Sequence, residues 1–352
     1  MNRENSSNTS ETGKFKKELE KELNSDFSHT DKPKSPNCFI TKCLNEWIIE
    51  AQQRPIPKML FSELWFENEI CILFSDTNLG KSILAVQIAN SISKGINIPG
   101  FKLEIASQKV LYLDFELSDK QIEKRYSNNC SNHYVFAKNL LRSEINSEQE
   151  TPNNFDSFEE FLCSSIEQSV INDDIKILII DNITYLKSDT EKAKDALPLM
   201  KLLNSLKKKY LLSILVLAHT PKRDASKPIT KNDLSGSKML MNFCDSCFAI
   251  GESHKEKGLR YLKQIKQRNT EHIYDTQNVI ICKIENLSNF LQFSFEGFDV
   301  ELDHLKQFLP SNSNERLNDI MELKNKGLNN VKIAEILGVS EGTIRRILKE
   351  NE

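Results

Sequence analysis

Polar residues fill positions 1–37, and periodic apolar positions begin only at Phe39. From Phe39 to Gln52 the spacing predicts a helix; an arm with Pro55 and Pro57 follows, then Leu64, Trp65 and Phe66. Beyond Glu69, strand-length apolar runs alternate with helix-length amphipathic segments. Strands are predicted over Glu69–Phe74, Lys109–Phe115, Ile175–Ile180 and Leu212–Ala218. Helices are predicted over Lys81–Ser93, Phe155–Val170 and Ala193–Tyr210. Shorter strands follow at Ser246–Ile250 and Leu259–Ile265, then a hairpin-like pair, Asn278–Glu285 and Leu291–Phe295. Continuous apolar strands separated by helices imply an α/β fold whose mostly parallel sheet is covered on both faces. Residues 310–314 read PSNSN, a turn and linker composition. Past them the spacing becomes wholly helical. Leu317, Ile320, Met321 and Leu323 share one face, and Gly327 ends that helix. Val331, Ile333, Ala334 and Leu337 form a second, Gly338 turns the chain, and Ser340 caps a third carrying Ile344, Ile347 and Leu348. The expected division is a disordered tail over 1–37, an α/β domain over 38–310, a linker over 311–314 and an all-α unit over 315–352.

Composition narrows this picture. The chain of 352 residues is long enough for about two domains. Runs such as Ile177–Ile180 and Leu211–Ala218 are strand-length, well short of the roughly 20 residues of a membrane helix. The first thirty residues hold no apolar signal-peptide region, so a cytoplasmic location without membrane contact is expected. A net charge of −3 gives no global pull toward nucleic acid, so any such contact must come from local basic patches. Of eight cysteines, only Cys244 and Cys247 form a CxxC, with no second pair at metal-site spacing.

The strand at Glu69–Phe74 runs into Ser75, Asp76, Thr77, Asn78, Leu79, Gly80, Lys81 and Ser82, and Ile83 opens the helix face behind them. This is the P-loop pattern GxxxxGK[ST] with Ser75 in place of the first glycine. Loop and helix amides can meet anionic phosphates, Lys81 supplies a point charge, and the Ser82 hydroxyl can ligate Mg²⁺. Asn78 can take a left-handed conformation. The strand VLYLDFE ends in Glu116, placed to orient a water against a terminal phosphate, with Asp114 the weaker candidate. KILIIDN ends in Asp181, a Walker B carboxylate for Mg²⁺. Together these elements call for ATP and Mg²⁺.

FSDTNLGKS, LYLDFE, LIIDN and LVLAHTPKR, in that order, resemble the motifs of RecA-like P-loop ATPases. Within that class they are similar to replicative hexameric helicases of the DnaB and plasmid RepA kind. DLSGSKMLMNFCDSCFAI and IKQRN (265–269) extend the likeness, which spans about residues 55–295. On residues alone, Lys266 and Arg268 read as a solvated basic strand end, and His219 as a core-edge histidine. The resemblance implies that His219 senses the terminal phosphate and couples it to DNA-binding loops. It also implies that Lys266 and Arg268 act on a neighbouring subunit's ATP, in a hexamer or filament.

Two regions could contact DNA. The loop after His219 carries Lys222, Arg223, Lys227 and Lys231 without an aromatic residue, and would bind single-stranded phosphates. The carboxyl-terminal unit resembles the helix-turn-helix domains of resolvases, which implies duplex contacts from Thr343, Arg345 and Arg346; a small protein-docking bundle is the alternative. The expected function is an ATP-hydrolysing, DNA-associated motor of the helicase type. Its alternatives are an ATP-switched DNA-binding regulator or replication-initiation factor without translocation, and a signalling ATPase that binds protein.

Overall fold

A computed structural model describes residues 38–183, 196–221, 223–235, 237–306, 313–337 and 339–350. The sequence assignment of 1–37 as a tail therefore lies outside the described residues, as do Lys222 and the turn glycine Gly338. The chain divides into two compact units at Ile56 and Pro57. In the first, α1 (Leu44–Gln52) begins five residues later than its apolar spacing predicts. Cys43 and Glu46 form a capping box there, and this reciprocal bonding sets the start in place of the apolar positions upstream.

The second unit opens with a two-stranded ribbon, β1 (Met59–Phe61) and β2 (Trp65–Phe66). Next come β3 (Ile70–Ser75), α2 (Lys81–Lys94), β4 (Val110–Asp114) and α3 (Asp119–Arg125). A small pair, β5 (Ser127–Asn128) and β6 (Asn132–His133), precedes β7 (Leu140–Ser143). Then follow α4 (Phe158–Asn172), β8 (Ile177–Asp181), α5 (Ala196–Tyr210), β9 (Ser213–His219) and α6 (Ser237–Phe243). Four strands close the domain: β10 (Ser246–Glu252), β11 (Leu259–Lys266), β12 (Val279–Leu287) and β13 (Phe290–Asp299).

Nine strands form one sheet in the order β13-β12-β11-β10-β3-β9-β8-β4-β7. The six from β10 to β7 are mutually parallel and the other three antiparallel. This is an α/β fold with a mostly parallel central sheet, in which β3, the loop after it and α2 have the strand–loop–helix order of a P-loop. Both faces are covered, and the pleat sorts the side chains strictly. Cys71 and Leu73, Tyr112, Ile177 and Ile179, and Leu215 and Leu217 join the core on the α2 side, where Leu84, Ile88 and Ile92 pack. Ile70, Ile72 and Phe74, Leu178 and Ile180, and Ile214 and Val216 join the opposite core with Ile166, Met200, Leu203 and Leu206. By the same alternation Ser75 and Asp181 fall on the α2 side.

The antiparallel strands curl back onto α2. Gln87 donates to Phe293 O (2.9 Å) and accepts from Phe293 N (2.8 Å), clamping β13 to the helix. Carboxyl-terminal to the sheet, α7 (Ser313–Asn325), α8 (Asn330–Leu337) and α9 (Glu341–Glu350) enclose a small core of Ile320, Ile333, Ala334 and Ile344. The first of these helices starts at Ser313, inside the stretch read from sequence as linker.

Candidate nucleotide site

The phosphate loop leaves β3 at Ser75 and enters α2 at Lys81. Ser75 lies at the extended end of the strand, where no glycine conformation is needed. Its hydroxyl donates to Asp76 O (2.8 Å) and lies 3.3 Å from Lys81 Nζ. The positive φ values fall instead on Asn78 (62°) and Gly80 (93°). A Cβ on Gly80 would meet Ile284 at 2.8 Å and Phe293 at 3.0 Å, so packing and dihedral angle both require glycine. Thr77 and Asn78 form the exposed crest, while Leu79 is anchored in the core. Gly80 is the N-cap of α2 and provides no side-chain bond to the helix amides, which suits them to an anionic ligand.

Lys81 is buried, with Nζ donating to Ser75 O (3.1 Å) and Asp76 O (3.2 Å) and approaching His219 Nδ1 (3.1 Å). Burial lowers its pKa, opposed by the charges of Asp181, Glu116 and Asp76. The other imidazole nitrogen, Nε2, lies 3.1 Å from Glu116 Oε1. A neutral ring with its proton on Nε2 satisfies both contacts, accepting from the ammonium and donating to the carboxylate. Parallel pairing makes this chain possible, because Ser75 and His219 are register partners on adjacent strands. Asn182 donates to the same Glu116 oxygen at 2.6 Å. The His219 bond leads in holding the Glu116 carboxyl down at about 2, against its partial burial and with help from Asn182. Asp114 is already committed: it accepts from Glu116 N (3.1 Å), Leu117 N (3.0 Å) and Arg142 Nε (2.9 Å). That leaves Glu116 as the carboxylate open to the site.

Asp181 ends β8 on the α2 side and is buried. Tyr112 donates to its Oδ2 at 2.6 Å. Desolvation raises its pKa to about 6, offset in part by the Ser82 hydroxyl and then by Tyr112. Its Oδ1 is buried with no hydrogen-bond partner of good geometry among the described residues. An orphaned carboxylate oxygen facing a P-loop hydroxyl is a hard-oxygen donor set suited to Mg²⁺. The residues therefore fit that metal, which Ser82 and Asp181 would hold. Among the described residues no group of three or more His, Cys, Asp or Glu forms another metal-holding cluster, Cys244 and Cys247 included.

The remaining sequence-assigned residues lie elsewhere. Lys266 ends β11 and donates to Met241 O and to Cys244 O (2.7 Å), closing the carboxyl end of α6. Arg268 stands past the end of β11, and its Nη1 donates to Asp245 at 3.0 Å. Both lie at the amino-terminal end of the parallel strands, since Asp245 accepts from Ile70 N, the first residue of β3. Arg223 is corrected in orientation: its side chain is only 12% exposed and donates to Lys227 O, because the loop folds back on itself. Lys227 and Lys231 are the solvent-facing cations of that loop among the described residues. On α9, Arg345 and Arg346 are exposed and Thr343 is half-buried, and Arg345 pairs with Glu341 at 2.7 Å. Sequence reasoning missed Tyr112, Asn182 and Arg142. Asn182 directly follows the Walker B aspartate and Tyr112 lies two residues before Asp114, so position beside the known motifs was the available signal.

The family profile described as "AAA domain" matches residues 41–225. No curated protein matches the chain. Among solved structures, the fold is similar to the KaiC-like protein PH0186 of the hyperthermophilic archaeon Pyrococcus horikoshii OT3. That similarity has a TM-score of 0.46 at 13% identity, over 65% of this chain and 90% of that one. No helix among the described residues is long and apolar enough to cross a membrane.

Proposed function

Because the chain belongs to the AAA domain family and has a RecA-like P-loop ATPase core, we propose that it is an ATP-driven, DNA-associated motor of the helicase type, working as a ring or filament. In this reading Lys81 and the α2 amides bind the β- and γ-phosphates. Ser82 and Asp181 hold Mg²⁺, which when bound neutralises phosphate charge. Glu116, ionised at neutral pH, orients and deprotonates the attacking water.

The observation that carries the motor reading is the chain Lys81–His219–Glu116. It joins the phosphate-binding cation, the base and the end of β9. A terminal phosphate at Lys81 competes for the ammonium now shared with His219, so a change at the phosphate reaches β9. The basic loop starts there and returns to it: Thr220 N donates to Ser75 O (3.1 Å) and Ser235 N to His219 O (3.2 Å). Lys227 and Lys231 thus lie on a segment tied at both ends beside the nucleotide. The position of Arg268 at the opposite end of the strands supports a head-to-tail assembly, which needs finger and P-loop on different faces.

The regulator reading draws on a different feature. Only residues 338–340 separate α8 from α9 in the sequence, and α9 presents Arg345 and Arg346 outward as a duplex-reading helix would. ATPase rate and strand displacement, measured with single-stranded and duplex DNA, separate the readings. A motor is stimulated by single strands and unwinds; after deletion of residues 311–352 it keeps its ATPase and loses specific duplex binding. DNA-independent turnover without unwinding would contradict the motor reading.

A further inference from the structure

A cavity of about 140 Å³ lies between α2, α3 and the strand pair β4 and β7. Its walls are apolar or aromatic: Val86, Tyr112, Ile122, Tyr126, Phe136 and Leu140. The two charged residues that also line it, Asp114 and Arg142, pair with each other at 2.9 Å. Both have further partners. Asp114 accepts from the amides of Glu116 and Leu117, and Arg142 donates to Asp119 Oδ1 (2.9 Å) and Leu117 O (2.6 Å). The cavity therefore offers a ligand no free charge among its described lining. The Tyr126 hydroxyl is different. The residue is only 3% exposed, and its oxygen is buried with no hydrogen-bond partner among the described residues. Burial raises the pKa of this hydroxyl, opposed by Arg125 and reinforced by Asp181 and Asp114, so it stays protonated and remains a donor. Asp114 lines the same cavity, which sets the hydroxyl on that wall.

Neither water nor a plain hydrocarbon suits this space. A buried water needs about two to four polar partners, and the walls offer one free hydroxyl. A hydrocarbon would leave that hydroxyl unpaired, which costs the full desolvation of the group. We propose that the cavity is an effector site for a small neutral phenol, seated against the ring of Tyr112. A space of about 150 Å³ takes one benzene ring, so a single six-membered ring fills this cavity and a bicyclic purine exceeds it. The ligand's oxygen accepts from Tyr126, and its ring packs on the aromatic walls. The binding part of the proposal rests on the cavity alone; the effector part rests on the nucleotide site described above. Tyr112 donates to Asp181 Oδ2 at 2.6 Å. An occupant that fixes the Tyr112 ring fixes that donor, and with it the orientation of the carboxylate that would hold Mg²⁺. Preorganising a ligand group in this way favours the metal's binding.

The test uses the full chain titrated with phenol itself, followed by ligand-observed NMR. Binding is expected with a Kd on the order of 1 mM or tighter, within the ceiling for so few atoms. Ile122→Trp, at a half-buried lining position, should abolish binding by filling the cavity, and circular dichroism checks that the fold is kept. Tyr126→Phe should weaken phenol about fivefold, the scale of one hydrogen bond, while benzene binds as well as before or better. Phenol that does not bind the native chain, that still binds folded Ile122→Trp, or that weakens only in step with benzene in Tyr126→Phe overturns the site. Displacement of phenol by adenosine would give the cavity to the nucleotide's base and overturn it as well. Saturating phenol should lower the Mg²⁺ concentration for half-maximal ATPase about fivefold, the low end of coupling between two sites, and should have no such effect on Ile122→Trp. An unchanged Mg²⁺ requirement in a chain that binds phenol and hydrolyses ATP overturns the effector role. If the chain hydrolyses no ATP but the phenol results hold, the nucleotide-site reading fails and the phenol site stands.

Discussion

At the carboxyl end of β3, Lys81 is buried among carbonyl oxygens and an imidazole, and its network ends on Glu116. At the amino end of the same strand, Arg268 is 55% exposed and leans on Asp245. The first site is preorganised: its cation, base and metal-binding carboxylate are set by strand pairing within one chain. The second is a solvent-facing guanidinium paired with a carboxylate of the same chain. In the proposed reading the first end would be the tight half of a nucleotide site and the second a looser half completed by another copy.

The largest effect should come from removing the fixed cation. Lys81→Ala is expected to abolish hydrolysis and sharply weaken ATP binding, read by steady-state ATPase and nucleotide titration. Near-normal turnover would show that the buried end is not the ATP site. Glu116→Gln should be smaller and cleaner, keeping nucleotide affinity while slowing hydrolysis by on the order of a hundredfold or more, as for a lost general base. Normal hydrolysis by that variant would assign the water to another group, although Asp114 is already bonded to Arg142 and two amides.

A smaller effect follows from pH. Asp181 has a folded pKa of about 6, above its ordinary value near 4, so the folded chain holds an extra proton between those values. Its contribution to stability is full below the lower value and is lost as pH rises through the upper one. Mg²⁺ needs the ionised form, so metal-dependent nucleotide binding should fall as pH drops below about 6, and more Mg²⁺ should move that limb to lower pH. Thermal melts of the native chain and Asp181→Asn from pH 4 to 7 check the stability term. Equal pH slopes would remove Asp181 as its source.

Much of the site could be read along the chain because a buried parallel strand is a continuous apolar run, and its first polar residue marks the ligand edge. Ser75, Asp181 and His219 each end such a run, and Glu116 lies two residues past Asp114, which ends its own. What the sequence hid depends on pairing between distant segments. The contact between Lys81 and His219 needs the register of β3 against β9, and the clamp of Gln87 on Phe293 needs the sheet to curl. Short elements were also missed. The edge strand β7 offers only Leu-Leu-Arg-Ser, too short for a pattern, and α3 declares itself through the Ser118–Gln121 capping box more than through periodicity. Charge misled where cations fold inward. Arg223 bonds its own loop and Lys266 closes α6, so a count of basic residues overstated what solvent meets.

The measurement that bears most directly on the division between the two ends is a mixing experiment. Lys81→Ala lacks the fixed cation but keeps Arg268, and Arg268→Ala keeps an intact P-loop. The single Arg268→Ala chain should bind ATP yet hydrolyse it on the order of a thousandfold more slowly, the scale of a lost arginine finger. Mixed at concentrations where the two chains co-assemble, they should recover part of the activity that each lacks alone. A mixture that stays inactive although both proteins demonstrably co-assemble would contradict a site shared between two copies.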